Sequence, residues 1–261
     1  MTGARRMRLL LGMMLLAAPA AQAQQPTVIF DQAHGQWFMI EHRGPLELSG
    51  LANAFRDAGL LVRASTLPLS DAVLAQATGL IISGAFQPLT EPETAAVLRF
   101  VARGGRVAIM LHIAQPLAPL MARLGLFHSN GVVREAEGLL DTLAINFTVS
   151  RLEKHPLTEG VKSPALYGAW ALNAEAPPAR IIGRTSPGAW VDLNRSGRFD
   201  SGDAKQSLGV MAVSGIGQGE VAVFGDDAMF QNQFLVGQNL VLARNLARWL
   251  SRAGTRSQAS D

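Results

Sequence analysis

The sequence contains no cysteine. Without thiols the chain forms no disulfide, carries no thiol nucleophile and builds no thiolate zinc site. The same absence excludes a bacterial lipoprotein anchor, which is attached through a cysteine. Stability must therefore come from a hydrophobic core, and 261 residues are enough for one sizeable α/β domain.

Long apolar runs are also scarce. An apolar run at residues 9–18 follows Arg5, Arg6 and Arg8 and precedes the small-residue tripeptide Ala21–Ala23. It is shorter than the roughly 20 residues that a membrane helix needs. The pattern predicts a secretory signal peptide over residues 1–23 and a periplasmic or secreted protein with no stable membrane span after cleavage. An uncleaved N-terminal anchor is the alternative.

Neither sign of charge is in excess beyond that segment. Setting the three arginines of the signal peptide aside leaves 20 basic residues against 20 acidic ones. Nucleic-acid-binding surfaces need basic residues clustered on one face. We therefore expect no nucleic-acid partner.

The sequence does contain apolar strands that alternate with amphipathic helices. The first strand and helix lie at residues 27–35 and 48–59, and a strand follows from residue 60. The pattern repeats at residues 78–86, 90–105 and 106–114, where Thr90 and Pro92 mark a helix start. This alternation predicts an α/β fold with a mostly parallel sheet and helices on both faces.

The pattern changes after about residue 125. Shorter strand-like runs, separated by glycine, proline or polar residues, predict an inserted antiparallel β-hairpin region over about 128–218. A buried strand and a long closing helix follow. The predicted domain therefore covers residues 24–252, and residues 253–261 are expected to be a disordered tail.

Three motifs resemble a known family. They are VIFDQAHG at residues 28–35, HPLTEGV at 155–161 and VAVFGDDAMFQN at 221–232. They resemble the class I glutamine amidotransferase-like domains of bacterial proteins grouped as DUF4350, and the related accessory domains of gliding motility and intraflagellar transport. The resemblance implies a flavodoxin-like fold.

The resemblance does not extend to amidotransferase catalysis. Working enzymes of that class place a nucleophilic cysteine on a Gly-x-Cys-x-Gly elbow. The matching stretch here, IMLHIAQP at residues 109–116, carries His112 and has no cysteine. Glutamine hydrolysis by that mechanism is excluded, and no Gly-x-Ser-x-Gly elbow replaces it. We interpret His155 as part of the loop architecture, because it precedes a proline.

Polar residues follow the predicted strands. The carboxyl ends of parallel strands meet at one edge of a sheet, where such folds bind ligands. We therefore predict a crevice for an unknown small molecule or protein partner, with Trp37 as an apolar wall. The candidate residues are Asp31, His34, Trp37, Ser83, Gly84, His112, Asp226 and Asp227.

A fold without its nucleophile favours a non-catalytic periplasmic protein that binds a ligand or partner, or acts as a scaffold. One alternative is a metal-assisted hydrolase that uses Asp31, His34, His112 and Asp226. Another, suggested by the resemblance alone, is an accessory subunit of a transport or export complex. A purely structural role for the strand-end residues is the remaining interpretation.

The segment AWVDLNRSGRFDSGDAKQ, residues 189–206, follows the order of a calcium-binding loop. Gly197 permits the bend, and Phe199 is expected to tether the loop to the core. A weak, structural Ca²⁺ site is predicted, and a metal-free polar hairpin is the alternative. The predicted donors are Asp192, Asn194, Ser196, the carbonyl of Arg198, Asp200 and Asp203.

Overall fold

The computed structural model of the protein describes residues 25–252. The predicted signal peptide at 1–23 and the predicted tail at 253–261 lie outside these residues. Within the described part, no helix is long and apolar enough to cross a membrane.

The described chain forms fourteen strands, four α-helices and three 3₁₀ turns. The α-helices are α1 (Ser49–Asp57), α2 (Glu91–Ala102), α3 (Ala118–Arg123) and α4 (Gly237–Ser251). The 3₁₀ turns are Gln115–Leu117, Pro156–Thr158 and Ala228–Phe230. The strands are β1 (Thr27–Asp31), β2 (Leu61–Ser65), β3 (Gly79–Ser83), β4 (Arg106–Met110), β5 (Leu126–Arg134), β6 (Asn146–Thr148), β7 (Arg151–Leu152), β8 (Ala165–Tyr167), β9 (Trp170–Ala174), β10 (Arg180–Arg184), β11 (Trp190–Val191), β12 (Ala204–Lys205), β13 (Gly209–Ile216) and β14 (Gly219–Phe224).

Twelve of these strands form one mixed sheet in the order β12-β11-β5-β9-β13-β14-β4-β3-β1-β2, with β10 paired to β13 and β7 paired to β10. Strands β2, β1, β3, β4 and β14 are mutually parallel. The remaining strands add to this core in antiparallel fashion. Strands β6 and β8 form a separate antiparallel pair.

The α/β class is confirmed, but the expectation of a mostly parallel sheet is wrong. Strand β13 pairs along its length with β14, from Met211 opposite Phe224 to Ile216 opposite Gly219. The chain between β4 and β14 therefore extends the parallel core as part of the same sheet. Its strands outnumber the parallel ones, because short antiparallel strands need only hairpin connections whereas parallel strands need crossovers.

The core divides into three buried clusters. Val28 and Phe30 of β1 belong to a cluster with apolar residues of α1 and α4. Ile29, between them in sequence, belongs to a second cluster with residues of α2 and α3. A third, smaller cluster includes Val133 and Val210 of the antiparallel region. The alternation along β1 follows from the two-residue side-chain period of a strand.

Candidate functional site

His34 lies buried between two carboxylates beyond the end of β1. Its Nδ1 is 2.7 Å from Oδ2 of Asp31, and its Nε2 is 3.1 Å from Oε1 of Glu93. Gln36 Nε2 donates to the same oxygen of Asp31 over 2.6 Å, and Gln36 Oε1 accepts from the amide of His34. All four residues are at least 94 % buried, so the network is closed to solvent.

Glu93 connects that network to helix α2. Its carboxylate completes a capping box with Thr90 and also accepts from the amide of Leu69. Burial opposes the ionised form, but the hydrogen bonds from Thr90 and the charge of His34 outweigh it and lower the pKa of Glu93. Burial likewise opposes protonation of His34, but the hydrogen bond and charge of Asp31, with those of Glu93, raise its pKa. The network of Asp31, His34 and Glu93 joins the first strand to the second helix.

The strand ends of β4 and β14 border a crevice of about 520 Å³. Its lining includes His112, Asp226 and Asp227 of the predicted residues, with Tyr167 and Phe234. His112 follows β4 and the two aspartates follow β14. Parallel pairing of these strands, Phe224 beside Met110, brings the three together at one edge of the sheet.

His112 and Asp227 form a half-open dyad. Nδ1 of His112 is 3.1 Å from Oδ1 of Asp227, and the side chain of His112 is 39 % exposed while that of Asp227 is 3 % exposed. The hydrogen bond that Asp227 accepts, opposed by burial, raises the pKa of His112. The dyad therefore offers the crevice one imidazole whose orientation is fixed by a buried carboxylate.

Asp226 is turned into the protein. Oδ2 accepts from the amide of Tyr167 over 2.7 Å, and Oδ1 accepts from the amide of Ala228 over 2.9 Å. Burial, followed by the neighbouring charge of Asp227, raises the pKa of Asp226 to about 7. Asp226 therefore holds the connection between β14 and β8 and carries a proton for part of the time at neutral pH.

Two polar atoms near the dyad are buried without a partner. In the described part of the chain, neither Ser83 Oγ nor Asp227 Oδ2 has a hydrogen-bond partner. Gly84 lies beside them in a left-handed conformation, φ 59°. A Cβ there would lie only 3.0 Å from Asp227 Oδ2, so the glycine permits a close approach of its backbone to the unpaired oxygen.

Trp37 contributes to an aromatic rim. It is 70 % exposed and stacks on Phe86 with ring centroids 4.7 Å apart. Phe86 and Phe38 each lie 5.3 Å from the ring of His112. Trp37, the expected aromatic wall, is thus separated from His112 by the ring of Phe86, whereas Phe38 contacts His112 directly.

Five of the predicted residues consequently fall into two groups, while Trp37, Ser83 and Gly84 lie outside both. The crevice is lined by His112, Asp226 and Asp227, whereas Asp31 and His34 belong to the closed network. Sequence reasoning missed Glu93, because Thr90 and Pro92 marked only the start of the helix. It also missed the stacked rings of Tyr167 and Phe234, with centroids 3.8 Å apart, because Tyr167 lies in a hairpin far from the strand-end motifs in sequence.

No cluster of three or more His, Asp or Glu side chains within residues 25–252 is arranged to hold a metal ion. This disfavours the metal-assisted hydrolase, since its four ligands are divided between the network and the crevice. Metal bonds near 2 Å require ligands that converge on one point.

The loop of residues 192–203 has oxygen donors of the right chemistry, but they are directed to N–H groups. Asp192 accepts from Nε of Arg134 over 2.7 Å and from the amides of Ser196 and Gly197. Asp203 accepts from the amides of Leu193 and Asp200. The guanidinium of Arg134 thus pairs with the Asp192 carboxylate that a calcium ion would use.

The remaining loop donors are used within the loop. Asn194 donates to Asp200, and Ser196 Oγ donates to the carbonyl of Arg198. Phe199 does not tether the loop to the core as expected, because it is 50 % exposed and lies against Trp190 and Lys205. The loop is anchored by Asp192, which is 3 % exposed.

His155 occupies a structural position. Its Nδ1 accepts from the amide of Leu157 and so caps the 3₁₀ turn Pro156–Thr158. Its Nε2 lies 3.2 Å from Glu220. These contacts agree with its interpretation as loop architecture.

Residues 41–250 match the family model described as "Domain of unknown function (DUF4350)". The chain belongs to the DUF4350 family. The matched range contains His112, Asp226 and Asp227 and leaves Asp31 and His34 outside it. No curated protein matches this DUF4350 chain.

Solved structures share the fold of this DUF4350 chain at low identity. The mmIFT52 N-terminal domain has a TM-score of 0.67 at 15% identity, covering 86% of this chain and 97% of that one. A cytoplasmic protein from Salmonella typhimurium LT2 has a TM-score of 0.54 at 12% identity, covering 87% of this chain and 100% of that one. A putative ThuA-like protein from Bacteroides uniformis ATCC 8492 has a TM-score of 0.51 at 13% identity, covering 90% of this chain and 95% of that one.

Proposed function

We propose that this DUF4350 protein is a non-catalytic domain that binds a polar ligand or a partner at the crevice of His112, Asp226 and Asp227. The observation that carries the proposal is a 520 Å³ crevice at the strand ends with an oriented imidazole, in a chain without cysteine. Such a crevice is the usual binding place in α/β sheets. The missing thiol removes the nucleophile on which an amidotransferase would depend.

The location of the binding event is part of the proposal. The leader-like sequence of residues 1–23 supports a periplasmic or secreted protein, in which the crevice would meet extracytoplasmic ligands. We further propose a flavodoxin-like arrangement for the parallel half, supported by the separation of α1 and α4 from α2 and α3 into different buried clusters.

Calcium binding by the loop also remains a proposal. The residue order Asp192, Asn194, Ser196, Gly197 supports it, and the ion pair of Asp192 with Arg134 opposes it. An ion would have to displace the guanidinium, so the affinity is expected in the weak, millimolar class.

The test of the binding proposal separates it from catalysis. Purified protein is assayed for hydrolysis of glutamine, esters and glycosides, and its melting temperature is screened against polar small molecules. We expect no turnover, and a ligand-dependent rise in melting temperature that His112→Ala removes and Glu175→Gln retains. Turnover abolished by His112→Ala would overturn the non-catalytic assignment.

The accessory-subunit alternative predicts a different result. A subunit of a transport or export complex co-purifies with membrane proteins even though the described residues contain no spanning helix. Recovery of the protein from detergent-solubilised membranes in a defined complex would favour this alternative over a free binding protein.

A further inference from the structure

The crevice lining is acidic and contains no lysine or arginine among its described residues. Its carboxyl and imidazole groups are those of Asp141, Asp226, Asp227 and His112. Asp141 lies across from the strand ends, in the loop before β6, and its Oδ2 accepts from Asn146. A phosphate, sulfate or carboxylate ligand would find no cationic partner besides His112, which is already held by Asp227.

Asp227 carries a buried carboxylate oxygen that is unpaired in the described part of the chain. The residue is 2 % exposed, and its Oδ2 has no hydrogen-bond donor within residues 25–252. A buried carboxylate oxygen without a donor is costly, and it is stabilised strongly when a charged donor reaches it. Gly84 lets the backbone approach this oxygen closely, because a Cβ there would lie only 3.0 Å from it.

Aromatic faces complete the lining. Tyr167 and Phe234 stack in the crevice, and Phe38 packs edge-on against His112. Aromatic rings attract cations through the negative potential of their faces. Carboxylates, an unpaired acceptor and aromatic faces together suit a hydrogen-bond donor that carries positive charge.

We propose that the crevice binds its ligand through a primary ammonium group, donated to Asp227 and set against the rings of Tyr167 and Phe234. The inference rests on the proposed function and names the chemistry of the ligand. The ammonium belongs either to a free amine or to a lysine side chain of a partner protein, and the two sources present the same group to the crevice.

The test uses three five-carbon probes of matched length, which are 1,5-diaminopentane, 1,5-pentanediol and glutarate, with binding measured by calorimetry on the full chain. The diamine is expected to bind and the diol and diacid are not. Asp227→Asn should weaken the diamine at least tenfold. Gly84→Ala, which keeps every charge but brings a methyl group to 3.0 Å from Oδ2, should weaken it as well, whereas Glu175→Gln should leave it unchanged.

A lysine-containing peptide and its acetyl-lysine counterpart identify the source of the ammonium. Tighter binding of the unmodified peptide than of the diamine assigns a protein partner, and the reverse assigns a free amine.

Circular dichroism confirms that each variant folds. Equal binding of the diol, or retention of diamine affinity in both Asp227→Asn and Gly84→Ala, overturns the ammonium assignment but leaves crevice binding intact. Failure of all three probes and of the peptide overturns the inference, and the wider ligand screen then decides the proposed function.

Discussion

At the scale of single residues, the dyad of His112 and Asp227 controls what the crevice offers. The hydrogen bond and charge of Asp227 raise the pKa of His112 above its ordinary value of 6.5. Because the folded pKa is the higher one, this interaction stabilises the protein fully below the unfolded pKa and is lost as the pH rises through the folded pKa.

Replacing Asp227 by asparagine should therefore lower the pKa of His112. Asparagine retains a hydrogen-bond acceptor but removes the charge that favours the imidazolium. Histidine ring signals followed by NMR across pH 5 to 9 measure the change, with Asp71→Asn, which alters only an exposed pair with Arg99 and Arg103, as the control. An unchanged His112 titration would show that Asp227 does not act on the ring.

Asp226 gives the same sense of pH dependence as His112, which for a carboxyl group is the reverse of the usual one. Its pKa rises from 3.8 to about 7 on folding, so the folded state binds the proton more tightly and stability falls as the pH rises from about 4 to 7. At about 1.4 kcal/mol per pKa unit, the upper bound of the loss is roughly 4 kcal/mol.

We expect Asp226→Asn to flatten the pH dependence of unfolding between pH 4 and 8. The amide cannot ionise, although it loses one acceptor for the amides of Tyr167 and Ala228. Urea unfolding at several pH values measures the slope, which does not depend on the absolute cost of that lost acceptor. A variant that loses stability with pH as steeply as the parent would contradict the assignment of the buried proton to Asp226.

At the scale of elements, Glu93 performs two tasks for helix α2. It completes the capping box with Thr90 and accepts from His34 beyond the end of β1. The capping function was readable from four consecutive residues, but the contact with a histidine 59 positions earlier was not. A local sequence pattern indicates contacts between residues that are close in sequence, whereas the contact between Glu93 and His34 depends on how β1 and α2 pack.

Glu93→Ala should destabilise the protein by about 2 kcal/mol, because a helix cap and a buried charge-assisted hydrogen bond are both lost. For a chain of this size that corresponds to a fall in melting temperature of roughly 4 to 8 °C. The pKa of His34 should fall in the same variant, as NMR would detect. Glu93→Gln keeps the capping geometry and should lose less stability while still lowering that pKa.

The loop of residues 192–203 shows the same limit of sequence reasoning. The order of its oxygen-bearing residues is that of a calcium loop, yet Arg134, 58 residues earlier, supplies a positive charge to Asp192. The residue pattern specifies a loop that turns its carboxylates inward. It does not distinguish an ion from a guanidinium brought by strand β5, which pairs with β11 through Trp190 and Val191.

Calcium should nevertheless raise the melting temperature if it displaces that arginine. At ten-fold excess over the dissociation constant the gain is about RT ln 11, or roughly 1.4 kcal/mol, which corresponds to about 3 to 5 °C. The double variant Asp192→Ala, Asp203→Ala should lose the response. An unchanged melting temperature in millimolar calcium after chelator treatment would leave the loop as a metal-free hairpin.

At the scale of the whole molecule, the parallel and antiparallel regions share one sheet. The parallel strands were predictable because continuous apolar runs alternate with amphipathic helices. The pairing of these strands with the antiparallel strands was not predictable. Strands β13 and β14 are apolar on both faces, and the local sequence pattern does not indicate which strand lies beside each of them. The pairing of β13 with β14 is what makes the sheet continuous.

Gly225 lies where the two regions meet, immediately before Asp226. Its amide donates to Val210 and its carbonyl accepts from the amide of Trp170. A Cβ on Gly225 would lie 2.2 Å from the carbonyl oxygen of Trp170, which is backbone and cannot move aside cheaply. The glycine therefore permits the close approach that connects β14 to β9 and β13.

A continuous sheet should unfold as one unit, and Gly225→Ala should destabilise both regions together. Trp190 reports on the antiparallel region and Trp249 on helix α4, which packs on the parallel core. Single-tryptophan variants would retain either Trp190 or Trp249. In each of them, the fluorescence transition in urea should coincide with the loss of far-UV circular dichroism. Gly225→Ala should shift the transitions of both reporters to lower urea concentration by the same amount. Separate transitions for Trp190 and Trp249 would mean that the antiparallel region folds independently, and a shift confined to Trp190 would place the strain of Gly225→Ala in that region alone.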